Sequence, residues 1–298
     1  MNSGGVVVGV DGSESAAAAA RWAAHEAAVR NVPLTVLTAY GFSDGDFTTR
    51  RYPPSEWLAA KENSAEELLR EVRAELADAE PEARIDTATS SSGADTALRE
   101  ASADARMLVL GKPTGTLSGL LAGSPDIDLA AHARCPVAVV RGSVHPGGPV
   151  VVGVDGSELS EAAIGWAFEE ASLHGVPLVA VHTWHDADSS RLFGDIARSF
   201  PYELREAERR LLAERLSGYC ERYPDVPVEQ VVEPDRPRDR LIERSAHASL
   251  VVLGSRGRGG FTGMVLGSTS HALLHHAGCP VLIVRATQAA GFPTTEER

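Results

Sequence analysis

Short runs of aliphatic and β-branched residues alternate along this chain with longer stretches whose apolar residues recur with helical spacing. Each run is bounded by glycine or polar residues and is too short for a helix, which predicts a strand buried on both faces of a parallel sheet. The longer stretches predict helices that pack one face on that sheet. The predicted strands are Val6–Val10, Leu34–Ala39, Arg84–Thr89, Met107–Leu110, Val137–Val140, Val150–Val154, Leu178–Thr183, Val228–Val232, Leu250–Leu253 and Val281–Val284.

The pattern of the first half returns in the second half. The sequence Val-Val-Val-Gly-Val-Asp-Gly-Ser occurs at 6–13 and again at 150–157, and the match continues without a gap through Leu34 and Leu178. Repeats of this length are too long for solenoid units, and each contains alternating strands and helices, so we predict two tandem α/β domains. The predicted segments are a first domain at 1–142, a linker at 143–149, a second domain at 150–286 and a polar tail at 287–298.

Each half has the strand and helix pattern of a five-stranded α/β sheet. Right-handed crossovers predict a doubly wound, Rossmann-like parallel sheet with strand order 3-2-1-4-5 in each domain. The ligand crevice of such a sheet lies where the order reverses, here between strands 1 and 4. The irregular polar stretches 41–54 and 185–201 follow the second strand of each half and predict either mobile flaps or long connections.

The helix after the first strand of each half has an apolar stripe that includes a tryptophan, Trp22 or Trp166. Stacking on a ligand is an alternative role for these rings, but their position on the stripe predicts core packing. Ser13 and Ser157 end the two Asp-Gly-Ser turns, and we predict that they cap these helices.

A glycine-rich stretch from Gly254 to Gly267 connects the fourth strand of the second half to the next helix. We expect its glycines, Gly257 and Gly267 among them, to adopt positive φ and to bring backbone N–H groups close to a bound anion. Ser268 and Thr269 predict a helix start at which a hydroxyl forms the cap and the remaining N–H groups face outward. The stretch therefore predicts a phosphate cradle, with a flexible surface loop as the alternative.

The spacing of this stretch separates it from two common nucleotide motifs. It lacks the Gly-Lys-Ser/Thr ending of a P-loop and the G-x-G-x-x-G spacing of a dinucleotide-binding fold. Gly254, Gly257, Gly267 and Ser268 instead fit the pattern G-x2-G-x9-G-S/T, which resembles the nucleotide loop of ATP-binding universal stress proteins. The resemblance extends over nearly all of the chain, and its motif is stronger in the second half than in the first.

The predicted topology brings the Asp-Gly-Ser turn beside the glycine loop. Asp155 can then bond a ribose hydroxyl or help to hold hydrated Mg2+, and an Asx turn is its alternative role. The resemblance implies that Asp155 contacts ATP and that the backbone of Thr183 contacts the adenine edge. The candidate nucleotide contacts of the second domain are Val154, Asp155, Thr183, Gly254, Arg256, Gly257, Arg258, Gly267, Ser268 and Thr269. The weaker candidates of the first domain are Val10, Asp11, Ala39, Gly111, Lys112, Gly115, Gly123 and Ser124.

The loop of the first domain departs from this pattern. Between Gly111 and Gly123 it is one residue shorter than its counterpart, and no glycine stands at the second position of the motif. Pro113 has no N–H to donate, and Gly115 is shifted in register. We therefore expect the first domain to bind ATP more weakly than the second, or not at all. The alternative is that Asp11 and the helix N-terminus suffice and that both sites fill.

Charge limits the partners of the chain. A net charge of −13 opposes nucleic-acid binding, which depends on clustered Lys and Arg. The same charge opposes ATP, so the site needs local positive charge, which Arg256 and Arg258 supply and Mg2+ increases.

Two groups of residues resemble metal ligands only superficially. Cys135, Cys220 and Cys279 lack metal-ligand spacing and predict buried reduced thiols. His271, His275 and His276 share a helix without the accompanying Glu of a zinc motif, so we expect the helix dipole to account for them.

The sequence has no charged-then-apolar leader and no long apolar run, which predicts a cytoplasmic protein with no membrane partner. The resemblance implies a nucleotide-dependent regulatory module in stress response or growth control, with an unidentified protein partner. The alternatives are a slow ATPase of the adenine-nucleotide α-hydrolase-like group and a partner-binding protein with vestigial pockets. The resemblance further implies that the last strands of the two domains meet about a pseudo-twofold axis as an intrachain pseudo-dimer, and it leaves an additional homodimer open.

Overall fold

A computed structural model of the protein describes residues 4–41, 55–112, 125–184, 202–234, 236–257 and 266–285. The two irregular stretches predicted after the second strands, from residue 42 and from residue 185 onward, and the polar tail lie outside these ranges. The described residues form two units, which divide between Arg141 and Gly142. Within the described ranges, no helix combines the length and the apolar character needed to cross a bilayer.

The first domain is a parallel sheet in the order β3-β2-β1-β4-β5, with helices between successive strands. Its elements are β1 Val6–Gly9, α1 Glu14–Val29, β2 Leu34–Ala39, α2 Ser55–Ala79, β3 Ile85–Ser90, α3 Ala94–Ala101, β4 Met107–Gly111, α4 Pro125–His132 and β5 Val137–Val140.

The second domain repeats this architecture in the order β8-β7-β6-β9-β10, again with every pair parallel. Its elements are β6 Val150–Val154, α5 Glu158–His174, β7 Leu178–Trp184, α6 Tyr202–Arg222, β8 Val228–Pro234, α7 Pro237–Ser245, β9 Leu250–Gly254, α8 Ser268–His276 and β10 Val281–Val284. Both strand orders confirm the predicted doubly wound fold.

The apolar runs form the centre of each domain because helices cover both faces of a doubly wound sheet. Strands β4, β5 and β10 are buried along almost their whole length. Trp22 and Trp166 are buried against the sheets with 9% and 5% of their surface exposed, which confirms core packing for both rings. Ser13 and Ser157 cap α1 and α5 by accepting bonds from backbone N–H groups, as predicted.

The order of strands determines where a site can form. In the second domain β6 lies between β7 and β9, so the chain leaves β6 toward one side and later returns on the other. The carboxyl ends of β6 and β9 are therefore neighbours, and the segments that follow them meet at one edge of the sheet. These segments are the Asp-Gly-Ser turn and the glycine loop.

Candidate functional site

The turn after β6 has the geometry of an Asx turn. Oδ1 of Asp155 accepts hydrogen bonds from the backbone N–H of Ser157 at 2.9 Å and from its hydroxyl at 2.7 Å. Gly156 has a φ of 78°, and its counterpart Gly12 in the first domain has a φ of 82°, a region that favours glycine because it lacks a Cβ. The turn bonds hold the Asp155 carboxylate at the end of β6.

Gly257 brings the glycine loop against this carboxylate. A Cβ built on Gly257 would overlap Oδ2 of Asp155, so a side chain here would require the carboxylate or the loop to shift. The reason for glycine differs from the one predicted, because neither Gly257 nor Gly267 has positive φ and Gly267 has a φ of −69°. The expectation of positive φ was wrong for these two residues, and Gly259, Gly260 and Gly263 lie outside the described residues.

The first glycine of the motif serves the packing of a helix on a strand. A Cβ on Gly254 would lie 2.9 Å from Cβ of Leu159 in α5. Its counterpart Gly111 is packed in the same way, since a Cβ there would lie 2.5 Å from the carbonyl oxygen of Ser15 in α1. Close helix packing therefore accounts for glycine at both positions, and both remain only candidates for ligand contact.

The two ends of the second-domain loop are joined by a short neck. Gly267 donates its N–H to the carbonyl oxygen of Ser255 at 2.7 Å, and the N–H of Ser255 is donated to Val284 of β10 at 2.7 Å. Gly267 also lies close to Arg256, whose Cα would be 3.4 Å from an added Cβ. The neck places the start of α8 beside Gly257.

Helix α8 begins at Ser268, as predicted, but the cap differs from the prediction. Gly267 is the N-cap residue, with extended geometry and no side-chain hydrogen bond, so the expected hydroxyl cap from Ser268 or Thr269 was wrong. Ser268 and Thr269 lie inside the first turn of the helix, whereas a capping hydroxyl must belong to the residue that precedes it. As a consequence, no side-chain oxygen caps the first N–H groups of α8, which are the groups that bind anions at helix N-termini.

Ser270 is a structural residue that the motif analysis missed. Its side chain is buried, and its hydroxyl donates to the carbonyl oxygen of Gly254 at 2.8 Å. This bond fixes the first turn of α8 to the end of β9. A hydroxyl on the apolar face of a predicted helix was the available signal.

Positive charge collects at this edge of the sheet. Arg256 is exposed, whereas Arg258 lies outside the described residues. Arg285 follows β10 at the same edge, and burial lowers the pKa of its guanidinium, with a further contribution from the nearby Arg256. Sequence reasoning missed Arg285, although a charged residue directly after the last apolar strand was visible. Two neighbouring cations in a chain of net charge −13 form a local environment that favours an anion.

The carboxyl ends of β6 and β7 are connected by a histidine that sequence reasoning also missed. His182 is buried in β7, directly before the candidate Thr183, which is partly exposed. The Nδ1 atom of His182 lies 2.8 Å from the carbonyl oxygen of the buried Val154, and Nε2 lies 2.9 Å from Oε2 of Glu208 in α6. The structure thus brings Val154, Asp155 and Thr183 to one edge, with His182 beneath them.

The first domain shares the turn, whereas most of its loop lies outside the described residues. Oδ1 of the exposed Asp11 accepts from the backbone N–H of Ser13 at 2.9 Å. Val10 directly follows β1, and Ala39 ends β2. Lys112 is exposed, and its carbonyl oxygen accepts from the Ser15 hydroxyl at 2.9 Å. The candidates that lie outside the described residues are Gly115, Gly123 and Ser124.

The cysteines and the α8 histidines, which were considered as metal ligands, have different environments. Cys135 and Cys279 are buried free thiols, as predicted, and burial raises the pKa of Cys135 to about 12. Cys220 is a free thiol as well, but it is only partly buried, which corrects the expectation for this residue. The rings of His271 and His275 stand 4.7 Å apart in α8.

Comparisons with known proteins agree on one family. The model of the universal stress protein family matches residues 4–141 and 148–285. A universal stress protein of Mycobacterium tuberculosis is 43% identical over 290 residues, which cover 94% of this chain and 97% of that protein. A universal stress protein of Mycolicibacterium smegmatis is 40% identical over 291 residues, with coverage of 94% and 97%.

A solved structure gives the same result for the fold. The crystal structure of a universal stress protein from Archaeoglobus fulgidus matches with a TM-score of 0.72 and 18% sequence identity, covering 96% of this chain and all of that one. At this level of identity the similarity concerns the fold alone.

Proposed function

The chain belongs to the universal stress protein family, and on that premise we propose that its second domain binds ATP with Mg2+ and acts as a nucleotide-dependent regulatory module. The adenine and ribose lie over the ends of β6 and β7, and the phosphates lie between Gly257 and the start of α8. We further propose that the protein works in the cytoplasm and that the nucleotide state controls the binding of a protein partner.

The contact between Asp155 and Gly257 is the observation that carries this proposal. Two segments distant in sequence meet there without room for a Cβ, at the carboxyl edge where doubly wound sheets bind ligands. The N-terminus of α8, which has no side-chain cap, lies next to this contact through the neck at Gly267. Backbone N–H groups and a helix dipole are the features that hold phosphates elsewhere.

The residues at this edge also suit a nucleotide-bound magnesium ion. Mg2+ in nucleotide sites keeps several waters and is held by one or two carboxylates together with phosphate oxygens. Asp155 provides one carboxylate, which the Ser157 bonds orient. The ion would neutralise phosphate charge, which matters in a chain of net charge −13.

Regulation by binding is favoured over hydrolysis by the state of Asp155. A general base needs an oxygen directed at the attacking water. Oδ1 of Asp155 is occupied by two bonds from Ser157, and the proposed Mg2+ would occupy Oδ2. Arg256 and Arg285 can stabilise bound phosphate, but neither can accept a proton from water. We therefore propose that ATP turns over slowly or not at all.

Mass spectrometry of the nucleotide that copurifies with the full-length protein tests the proposal. We expect ATP or ADP in an extract of the denatured protein. We also expect folded protein that has been freed of nucleotide to bind Mg-ATP in calorimetry. A folded protein that yields no nucleotide and gives no heat with Mg-ATP would overturn the assignment. Timed hydrolysis by the same sample then separates a binding module from an enzyme.

A further inference from the structure

His182 joins three elements of the second domain at the candidate nucleotide edge. It lies near the end of β7 with 5% of its surface exposed. Nδ1 faces the carbonyl oxygen of Val154 in β6 at 2.8 Å, and Nε2 faces the Glu208 carboxylate of α6 at 2.9 Å. Both distances are those of good hydrogen bonds.

The two partners of His182 determine its protonation. A carbonyl oxygen can only accept a hydrogen bond, and an ionised carboxylate can also only accept. A neutral imidazole has a single N–H and would leave its second nitrogen lone pair against an oxygen lone pair. Opposite an ionised Glu208, both hydrogen bonds form together only when each ring nitrogen carries a proton. That form of His182 is an imidazolium, which donates in two directions.

Three other carboxylates in the described part of this domain have partners of their own. Glu161 of α5 pairs with Arg215 of α6. Glu233, next to the residue that pairs with His182 in β8, is held by Arg240 at 2.9 Å and by Arg244 at 3.3 Å. Asp155 accepts from Ser157, as described above. Glu208 is thus the carboxylate that balances the imidazolium charge.

The bridge spans the predicted adenine and ribose contacts. Val154 immediately precedes Asp155, and Thr183 immediately follows His182. A bond from His182 to the Val154 carbonyl therefore adds a side-chain link to the backbone pairing of the two strand ends on which a nucleoside would rest. Through Glu208, the same residue connects these strand ends to the position of α6.

The first domain lacks both members of this bridge. Its strands pair in the same register, Val6 with Leu34 where the second domain pairs Val150 with Leu178, so Thr38 is the counterpart of His182. Aligning Leu68-Leu69 of α2 with Leu211-Leu212 of α6 places Ala65 opposite Glu208. Alanine has no side-chain acceptor, so the first domain cannot form the charged link.

We propose that His182 is a positioning residue of the nucleotide site, which as an imidazolium couples the Val154–Asp155 turn to α6 through Glu208. The inference rests on the proposed function, because the property that it controls is ATP affinity. It adds a residue outside the glycine motif, and it makes the second site sensitive to the position of α6.

Nitrogen NMR tests the protonation without any nucleotide. In full-length protein labelled with 15N-histidine near neutral pH, we expect both ring nitrogens of His182 to be protonated. The signal is assigned by its loss in His182→Thr. A single protonated ring nitrogen would overturn the inference, whatever the protein binds.

Calorimetry with Mg-ATP on the full-length protein tests the positioning role. We expect His182→Thr and Glu208→Ala, which introduce the first-domain residues, each to weaken the tight site about tenfold, a common size for coupling between linked positions. The double variant should be no weaker than either single one, because the two residues act as one unit. Glu208→Ala removes a side chain that is 24% exposed, so it gives a result even where His182→Thr does not fold.

Glu161→Ala is the matched control. It also removes an ion pair to α6 and introduces the first-domain residue, Ala17, but it does not touch the nucleotide turn. We expect a lower melting temperature with unchanged ATP affinity. Equal losses of affinity in Glu161→Ala and Glu208→Ala would reduce the bridge to general stability and overturn the inference. A wild-type protein that binds no ATP would instead remove the proposed function itself.

Discussion

The two domains share the same fold but differ where a phosphate would lie. Both have a glycine of positive φ in the turn after the first strand, Gly12 and Gly156, and both use a glycine to let a helix pack on the fourth strand. The difference begins after that strand. Helix α8 starts at Ser268, whereas α4 starts at Pro125, which aligns with Thr269 and has no N–H.

The motif glycines differ in what they contact. Some allow a helix to pack on a strand, and one allows the loop to approach Asp155. The first glycine of the motif is present in both loops because each domain must pack its own helix closely. The second glycine, Gly257, is needed only where the loop touches Asp155, and the first domain has Thr114 at the aligned position. The first domain thus has the glycine that close helix packing requires but not the glycine that meets Asp155 in the second domain.

The largest expected effect on ATP affinity comes from adding a side chain at Gly257. In Gly257→Ala the new Cβ overlaps Oδ2 of Asp155, so the loop or the carboxylate must move. Overpacking of this kind costs about 1–3 kcal/mol, and a similar loss of binding energy weakens ATP affinity about tenfold to hundredfold. Calorimetry with Mg-ATP on the full-length variant measures the change.

Gly218→Ala is the control for this substitution. A Cβ at Gly218 in α6 meets no atom within 4 Å, so alanine there should leave ATP affinity unchanged and raise helix stability slightly. Unchanged affinity in folded Gly257→Ala protein would contradict the site.

The next effect is the inequality of the two sites in the unmodified chain. The second domain offers N–H groups at Arg256 and Thr269, where the first has Pro113 and Pro125. Hydrogen bonds to charged groups contribute about 1.5–3 kcal/mol each, so we expect the first site to bind ATP at least about tenfold more weakly. A titration that fits two equal sites per chain would refute this expectation.

Restoring one backbone N–H donor in the first domain tests the same difference between the two sites. Pro125→Thr returns an N–H at the start of α4 and introduces the second-domain residue. We expect affinity at the first site to rise about fivefold, because one charge-assisted bond to phosphate is gained. The tight site should not change. If neither site responds, the helix N-terminus contributes little and the loop alone explains the difference.

The smallest effect concerns charge. Arg285→Gln removes one of two neighbouring cations at the second site, and we expect a loss of affinity of about threefold, the size of a partly screened interaction. The difference should shrink at high salt. Arg141→Gln changes the equivalent residue after β5 in the first domain, so the tight site should keep its affinity. Equal effects from the two variants would assign Arg285 to general charge and not to the site.

The sequence was sufficient for both sheets and for the strand order, because apolar spacing reports burial directly. It also placed Asp155 and Gly257 together, since a doubly wound topology brings the ends of strands 1 and 4 to one edge. The reason for glycine at 257 was not predictable. A glycine pattern shows only that a Cβ is excluded, and positive φ and close contact exclude it equally well.

The hydrogen-bond partners at the site could not be predicted from the sequence for a similar reason. His182 lies in an apolar strand, and its partner Glu208 is on a helix 26 residues later, with no spacing rule to connect them. The helix cap at Gly267 differs from the predicted one by a single position, and helix boundaries are the least certain feature of a pattern. Burial is visible in a sequence, whereas hydrogen bonds between distant segments are not.

The neck between Ser255 and Gly267 has a consequence for the length of the loop that it closes. One backbone bond of 2.7 Å joins the strand end to the helix start, whatever residues connect them. The entropy of closing a flexible loop grows slowly with length, by about 0.6 kcal/mol for each doubling. We therefore expect the segment between the two ends to tolerate changes of length and sequence. A longer insert grafted between residues 257 and 267 should therefore leave the domain folded, with a melting temperature close to that of the unmodified protein.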